Sequence, residues 1–109
     1  MRPSAQFKKG VLDICVLYLL QKQDRYGYDL TQQVNRHIPI TEGALYPSLR
    51  RLVKEGYCAT YLEESPSGPS RKYYHITNTG RVYLEEMLEE WEQFVASFQR
   101  LKEEADQHD

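Results

Sequence analysis

Apolar side chains recur along this chain with several rhythms, and each rhythm predicts a different element. From about Phe7 to Lys22 the residues Phe7, Val11, Leu12, Ile14, Cys15, Leu17, Tyr18, Leu19 and Leu20 are apolar on nearly every side, which predicts a buried helix. From about Tyr26 to Arg36, Tyr26, Leu30 and Val34 stand four apart on one stripe, the spacing of a second helix. Ile38-Pro39-Ile40 stops it, because proline disfavours helical geometry at the residue before it. Leu45, Leu49, Leu52 and Val53 then cluster on one side of a third helix. Thr41 or Gly43 caps its start, and it runs to Glu55 and ends at Gly56, the residue type suited to a left-handed cap. Pro47 falls in its first turn, where a missing N–H costs little.

The rhythm then changes. Tyr57 to Leu62 alternates and is rich in strand formers, Ser65 to Ser70 is dense in turn residues, and Arg71 to Ile76 alternates again. This predicts a hairpin with a long loop. Beyond Thr77, Leu84, Leu88, Trp91, Val95 and Phe98 recur on average every ~3.5 residues, the period of a helix packed lengthwise against another helix. Past about Leu101 the polar Lys102 to Asp109 segment is expected to fray. The predicted class is α+β, mostly α: a winged helix-turn-helix of three helices plus a β-hairpin wing over residues 1–76. A long dimerisation helix and polar tail follow over 77–109, as part of one structural unit.

A chain of 109 residues can build one core but leaves little to cover a long extra helix, so a homodimer is expected. The 40% hydrophobic and 28% charged fractions are those of a globular protein rather than a disordered one. The longest apolar run, Val11 to Leu20, is interrupted by Asp13 and falls well short of the roughly 20 residues that a spanning helix needs. With no secretion signal legible at the start, the cytoplasm is the expected location. Cys15 and Cys58 are too few and too isolated for a disulfide framework or a zinc site, and read as buried thiols.

The formal net charge of -2 argues against a nucleic-acid partner only until it is divided. Through Val82 there are 12 basic against 7 acidic residues; beyond it there are 2 against 9. A basic body can attract phosphate while an acidic tail points elsewhere. On a helical wheel Gly43, Tyr46, Pro47, Arg50, Arg51 and Lys54 fall largely opposite the leucines of the third helix. Arginines there could fork to guanine or phosphate, and lysine could neutralise phosphate. An ordinary solvated face would carry the same residues. A second basic pair, Arg71-Lys72, follows the turn beginning at Gly68, where the hairpin projects from the same fold, and the two tracts together point to double-stranded DNA.

The tracts Tyr26-Gly27-Tyr28-Asp29-Leu30, Glu42-Gly43-Ala44-Leu45-Tyr46-Pro47-Ser48-Leu49-Arg50-Arg51-Leu52 with Gly56, Gly68-Pro69, Arg71-Lys72-Tyr73-Tyr74, Ile76-Thr77, Gly80 and Trp91 occur in order over about Gly10 to Leu101. In this the chain resembles the PadR family of bacterial transcriptional regulators, in the short form with a single C-terminal helix. The resemblance implies a homodimeric repressor of its own or a neighbouring operon, with the first and last helices packed across a two-fold axis. It implies that the third helix reads the major groove through Gly43, Tyr46, Pro47 and Arg50 or Arg51, while Gly68, Arg71 and Lys72 of the wing meet the flanking backbone. A two-fold dimer implies a pseudo-palindromic operator with half-site centres roughly 34 Å apart.

The last helix carries the expected dimer interface: Leu84, Leu88, Trp91, Val95 and Phe98. Trp91 has two readings. A large ring on such a stripe is commonly packing. Some family members bind planar aromatic molecules between paired tryptophans, and by that resemblance Trp91, with Phe7, Cys15, Tyr18, Met87, Leu88 and Phe94, would line a site for a small aromatic effector. No cofactor or metal is expected: His37, His75 and His108 lie on different elements without ligand spacing. Catalysis is not expected, since no nucleophile and base stand at a recognisable spacing and the glutamates from Glu85 to Glu92 read as a solvated helix face. The alternative function is a winged-helix module that binds protein and has lost DNA.

Overall fold

The computed structural model describes residues 5–41 and 43–107, with side chains described from Gly10 onward. The order is α1 (Ala5–Lys22), β1 (Arg25–Tyr26), α2 (Gly27–His37), α3 (Tyr46–Lys54), β2 (Cys58–Ser65), β3 (Gly68–Ile76) and α4 (Asn78–Gln107). The three strands form one antiparallel sheet in the order β1-β3-β2. This is the expected mostly helical winged helix-turn-helix with a long C-terminal helix.

The core forms where α1, α2 and α3 meet the base of the sheet and the start of α4. Leu12, Val16, Leu17, Leu20, Leu30, Val34, Leu45, Leu49, Leu52, Cys58, Tyr74, Ile76 and Leu84 are all buried there. α1 is less enclosed than its composition suggests: Ile14, Cys15 and Leu19 are half-buried and Tyr18 is exposed. Tyr26 does not open the second helix. It precedes α2 with extended backbone angles, and Arg25-Tyr26 instead pair with Tyr74 and Tyr73 of β3.

The hairpin is tighter than its turn-rich sequence suggested. Ser65 pairs with Gly68, so only Pro66 and Ser67 form the turn, and neither has positive φ. Those angles exclude the primed turns that match strand twist, and the ladder adjusts by a bulge: between the pairs Glu63–Arg71 and Ser65–Gly68, Glu64 of β2 stands opposite both Pro69 and Ser70 of β3.

α3 ends as expected on Gly56, at φ +82. From there one residue joins α3 to α4. Thr77 Oγ1 donates to the Gly56 carbonyl (2.7 Å) and accepts from the Gly80 N–H (3.0 Å), capping α4. Gly80 lies so close to the Tyr57 carbonyl that an added Cβ would sit 2.1 Å from that oxygen. Tyr57 in turn stacks on Tyr83 of α4, with centroids 4.0 Å apart. α4 then leaves the body: its 30 residues span about 45 Å at helical rise, in a molecule 63 Å long.

Candidate nucleic-acid interface

α3 presents two unlike faces. Leu45, Leu49 and Leu52 are fully buried and Ser48 nearly so, whereas Tyr46, Pro47, Arg50 and Lys54 are exposed. Neither Thr41 nor Gly43 caps the helix. Leu45 occupies that position, after a turn in which Gly43 takes φ +81, its carbonyl accepts from the Tyr46 N–H (3.2 Å), and Pro47 lies in the first turn. Arg51 departs from the wheel reading. Its guanidinium turns inward and forks onto Asp13 of α1, with Nη2 2.6 Å from Oδ1. Arg50, not Arg51, is the outward arginine.

The wing supplies the second set of cations. Along β3 the side chains alternate, so Arg71 shares a face with Tyr73 and His75 while Lys72 shares one with Tyr74 and Ile76. The Arg71 guanidinium lies over the Tyr26 ring, 4.7 Å from its centroid, a contact that orients a charge without neutralising it. Because β1 is two residues long, the β3 edge beyond Tyr73 faces no strand on that side. The opening between this edge and α3 is a cleft of about 440 Å³. Tyr46, Arg50, Arg71 and Lys72 all border it. Of the other expected contacts, Pro47 and Lys54 are exposed on α3, Gly43 is half-buried before it, and Gly68 is exposed at the wing tip.

Three tyrosines that the sequence reading did not assign to this face also line the cleft: Tyr26, Tyr28 and Tyr74. Tyr28, on the first turn of α2, is 59% exposed and stacks on Tyr26 at 6.2 Å. Gly27 between them lets the Tyr46 ring approach, since an added Cβ would meet its Cε1 at 3.1 Å. Two tyrosines straddling a glycine at the start of the helix before α3 were the available signal. Burial pushes the Tyr74 hydroxyl above its ordinary value, with Tyr46 adding to it and Arg50 opposing it, so Tyr74 is a neutral phenol at the cleft wall.

A polar clamp secures β1 on the same sheet face as Arg71 and Tyr73. Tyr61 donates to Asp24 (2.8 Å), and the same carboxylate meets His75 Nδ1 at 2.8 Å. Burial acts to raise the Asp24 carboxyl, but the hydrogen bonds with His75 and Tyr61 and the charges of His75 and Arg81 outweigh it and hold the group below its usual value. The bond to Asp24 pushes Tyr61 up to about 12.

The residues read as dimer interface and effector site divide. Leu84 belongs to the chain's own core, and Leu88 packs against it. Trp91, Phe94, Val95, Phe98 and Leu101 are exposed. Trp91, Met87 and Phe94 line a cleft of about 280 Å³ against Gly10, Val11 and Ile14 of α1. Cys15 and Tyr18 instead face a separate apolar cleft between α1 and α2, bordered by Val34 and Ile38. Within one subunit they do not meet Trp91 in one site, because α1 turns them to its other side. The Phe7 side chain and His108 lie outside the described residues. Burial pushes the Cys58 thiol up to about 12, with Asp13 adding to it, and raises the half-buried Cys15 thiol as well. Among the described residues no three metal-ligating side chains cluster, and no helix is long and apolar enough to cross a membrane.

A helix pair whose second member exposes Tyr46, Arg50 and Lys54, beside a hairpin carrying Arg71 and Lys72, defines a winged helix-turn-helix protein. The model of the transcriptional regulator PadR-like family matches residues 16–86, and the chain belongs to that family. It is similar to a PadR-like transcriptional regulator from Bacillus cereus, with 40% identity over 88% of this chain and 95% of that one and a TM-score of 0.78. A solved protein from Streptococcus mutans is 34% identical, with 94% and 92% of the chains covered and a TM-score of 0.81. A transcriptional regulator of Mycobacterium tuberculosis is 29% identical, over 74% of this chain and 76% of its own. The chain is therefore a DNA-binding transcriptional regulator and not an enzyme.

Proposed function

We propose that this protein is a homodimeric repressor, acting in the cytoplasm on a pseudo-palindromic operator near its own or a neighbouring gene. Residues 1–76 form the DNA-reading part and 77–109 the dimerising part. The observation that carries the reading is the convergence of Arg50 from α3 with Arg71 and Lys72 from β3 around one cleft. Arg50, Tyr46, Pro47 and Lys54 enter the major groove with Gly43 at the helix start, while Arg71 and Lys72, with Gly68 at the wing tip, hold the flanking phosphates. Tyr28 joins them, since the first helix of such a pair crosses the DNA backbone. Support for the dimer is the exposed stripe from Trp91 to Leu101 on a helix that leaves the body.

The test is DNA binding by the intact protein to its upstream promoter at rising salt. Affinity should fall steeply, because each neutralised phosphate releases counterions. No binding at low salt by a folded dimer would leave the protein-interaction module as the surviving reading.

A small planar aromatic effector is the second part of the proposal, carried by the α1–α4 cleft at Trp91, Met87 and Phe94. With a volume of about 280 Å³ it is small for a complete ligand site, and a second copy would supply the facing wall. Quenching of Trp91 fluorescence by a planar aromatic cation, with concurrent loss of DNA affinity, is the expected result. Quenching without any change in DNA binding would remove the effector role.

A further inference from the structure

Arg51 and Arg50 are sequence neighbours with opposite positions. Arg51 Nη1 donates to Asp13 Oδ1 and Oδ2 at 3.1 and 3.3 Å, and Nη2 donates to Oδ1 at 2.6 Å. The side chains are 27% and 9% exposed. Asp13 stands within the apolar run of α1, where an ionised carboxylate is costly to bury unless a cation meets it. The charges of the pair also reach Tyr83 of α4, and that of Asp13 reaches Cys58 of β2, so the fork lies where α1, α3, β2 and α4 converge.

The rest of the α3 inner face is Leu45, Leu49 and Leu52, with the small Ser48 buried beside them. Apolar packing of this kind is non-directional, whereas a forked guanidinium-carboxylate pair fixes both a distance and a plane. Successive helix residues differ by about 100° in direction, so anchoring Arg51 also sets where Arg50 points.

We propose that Arg51 does not contact DNA and is a positioning residue: with Asp13 it fixes the rotation of α3 against α1, so that Tyr46, Pro47 and Arg50 meet the bases in register. The inference rests on reading α3 as the groove helix. It assigns a part in sequence discrimination to Asp13, an acidic residue on another helix that would itself repel phosphate. The turn of α1 that carries Asp13 also borders the α1–α4 cleft through Gly10, Val11 and Ile14, so the fork ties the reading helix to that wall.

The test uses full-length Asp13→Asn, Arg51→Gln and the double variant, each confirmed folded and of wild-type oligomeric state. Affinity is measured across salt for a duplex selected from a random library by the wild-type protein, and for a scrambled duplex of equal composition. Both single variants should lose about tenfold in the ratio of selected to scrambled affinity, the double variant no more than either, since partners in one contact are not additive. Affinity for scrambled DNA and its salt slope should stay unchanged. Arg51→Lys keeps the charge but not the fork, and should show reduced discrimination even if the Gln variant fails to fold. A wild-type ratio in Asp13→Asn or Arg51→Lys would overturn the proposal. So would a salt slope lowered by about one phosphate in Arg51→Gln, since it would place Arg51 on the DNA. Absence of any selected duplex with the wild-type protein would instead remove the underlying DNA reading.

Discussion

α3 and the distal half of α4 are both amphipathic helices, and they expose opposite faces. α3 buries its leucines within the chain and leaves Tyr46, Arg50 and Lys54 in solvent. Beyond Leu88, α4 exposes apolar surface of Trp91, Phe94, Val95, Phe98 and Leu101. The first pattern suits a charged, hydrated partner such as phosphate. The second suits a partner that removes apolar surface from water, and a second copy presents the same stripe. The change occurs within α4 itself, since Gly80 and Leu84 are sealed in the body while Trp91, two turns on, is 40% exposed.

The largest effect should come from disturbing the sealed end. Gly80→Ala would put a methyl group 2.1 Å from the Tyr57 carbonyl oxygen. Because backbone atoms on both sides must shift, the expected cost exceeds about 4 kcal/mol, enough to unfold many domains of this size. Denaturant titration checks this. A Gly80→Ala protein with wild-type midpoint would mean that α4 does not pack so closely on the α3–β2 connection.

Next in size is a pair of changes on one helix. Leu84→Ala should destabilise the fold by about 3 kcal/mol, as for other fully buried leucines. Phe98→Glu should leave the helical content of the body intact and reduce the assembly to monomers in sedimentation experiments, since Phe98 is 48% exposed in the single chain. If Phe98→Glu remained a dimer, the exposed stripe would not be the contact between copies.

A smaller effect is expected from alkali, and it belongs to the body. Cys58 and Tyr61 are pushed up to about 12, and Tyr74 and Tyr83 are raised. Each folded-state value lies above that of the unfolded chain, so the stabilisation is fully present below the ordinary values of 9.0 for the thiol and 10.0 for the phenols. It is lost as pH rises through those values toward about 12. Denaturant midpoints at pH 7, 9 and 11 should be similar for the first two and lower for the third. For the same reason Cys58 should resist alkylation at pH 8 while the protein is folded.

Much of this division was legible in the sequence, and the misreadings have identifiable causes. The leucines of α3 announced its inner face because one surface covers all of them. The 3.5-residue rhythm of α4 could not say which surface covers each member, and Leu84 proved to belong to the body. α1 is apolar on nearly all sides, so periodicity could not show that Cys15 and Tyr18 face a different cleft from Trp91. Arg51 fell within the outward sector of the wheel, but a long side chain can turn toward a carboxylate 38 positions away, which no local pattern reveals. β1 is two residues long, too short to alternate. The turn-rich wing looked like a loop, yet β3 extends through Pro69, where the neighbouring edge carries no strand and a missing N–H leaves no ladder bond unmade.

The division of labour proposed for α3 and the wing is best tried by selecting binding sites from a random duplex library with the wild-type protein, Arg50→Ala and Arg71→Ala/Lys72→Ala. The wild-type protein should enrich a two-fold symmetric site. Arg50→Ala should lose preference at one base pair in each half, worth about 1–3 kcal/mol, whereas the wing variant should keep the same site and bind every sequence more weakly. An Arg50→Ala protein that selects the wild-type site with wild-type preference would contradict the assignment of α3 as the element that reads DNA.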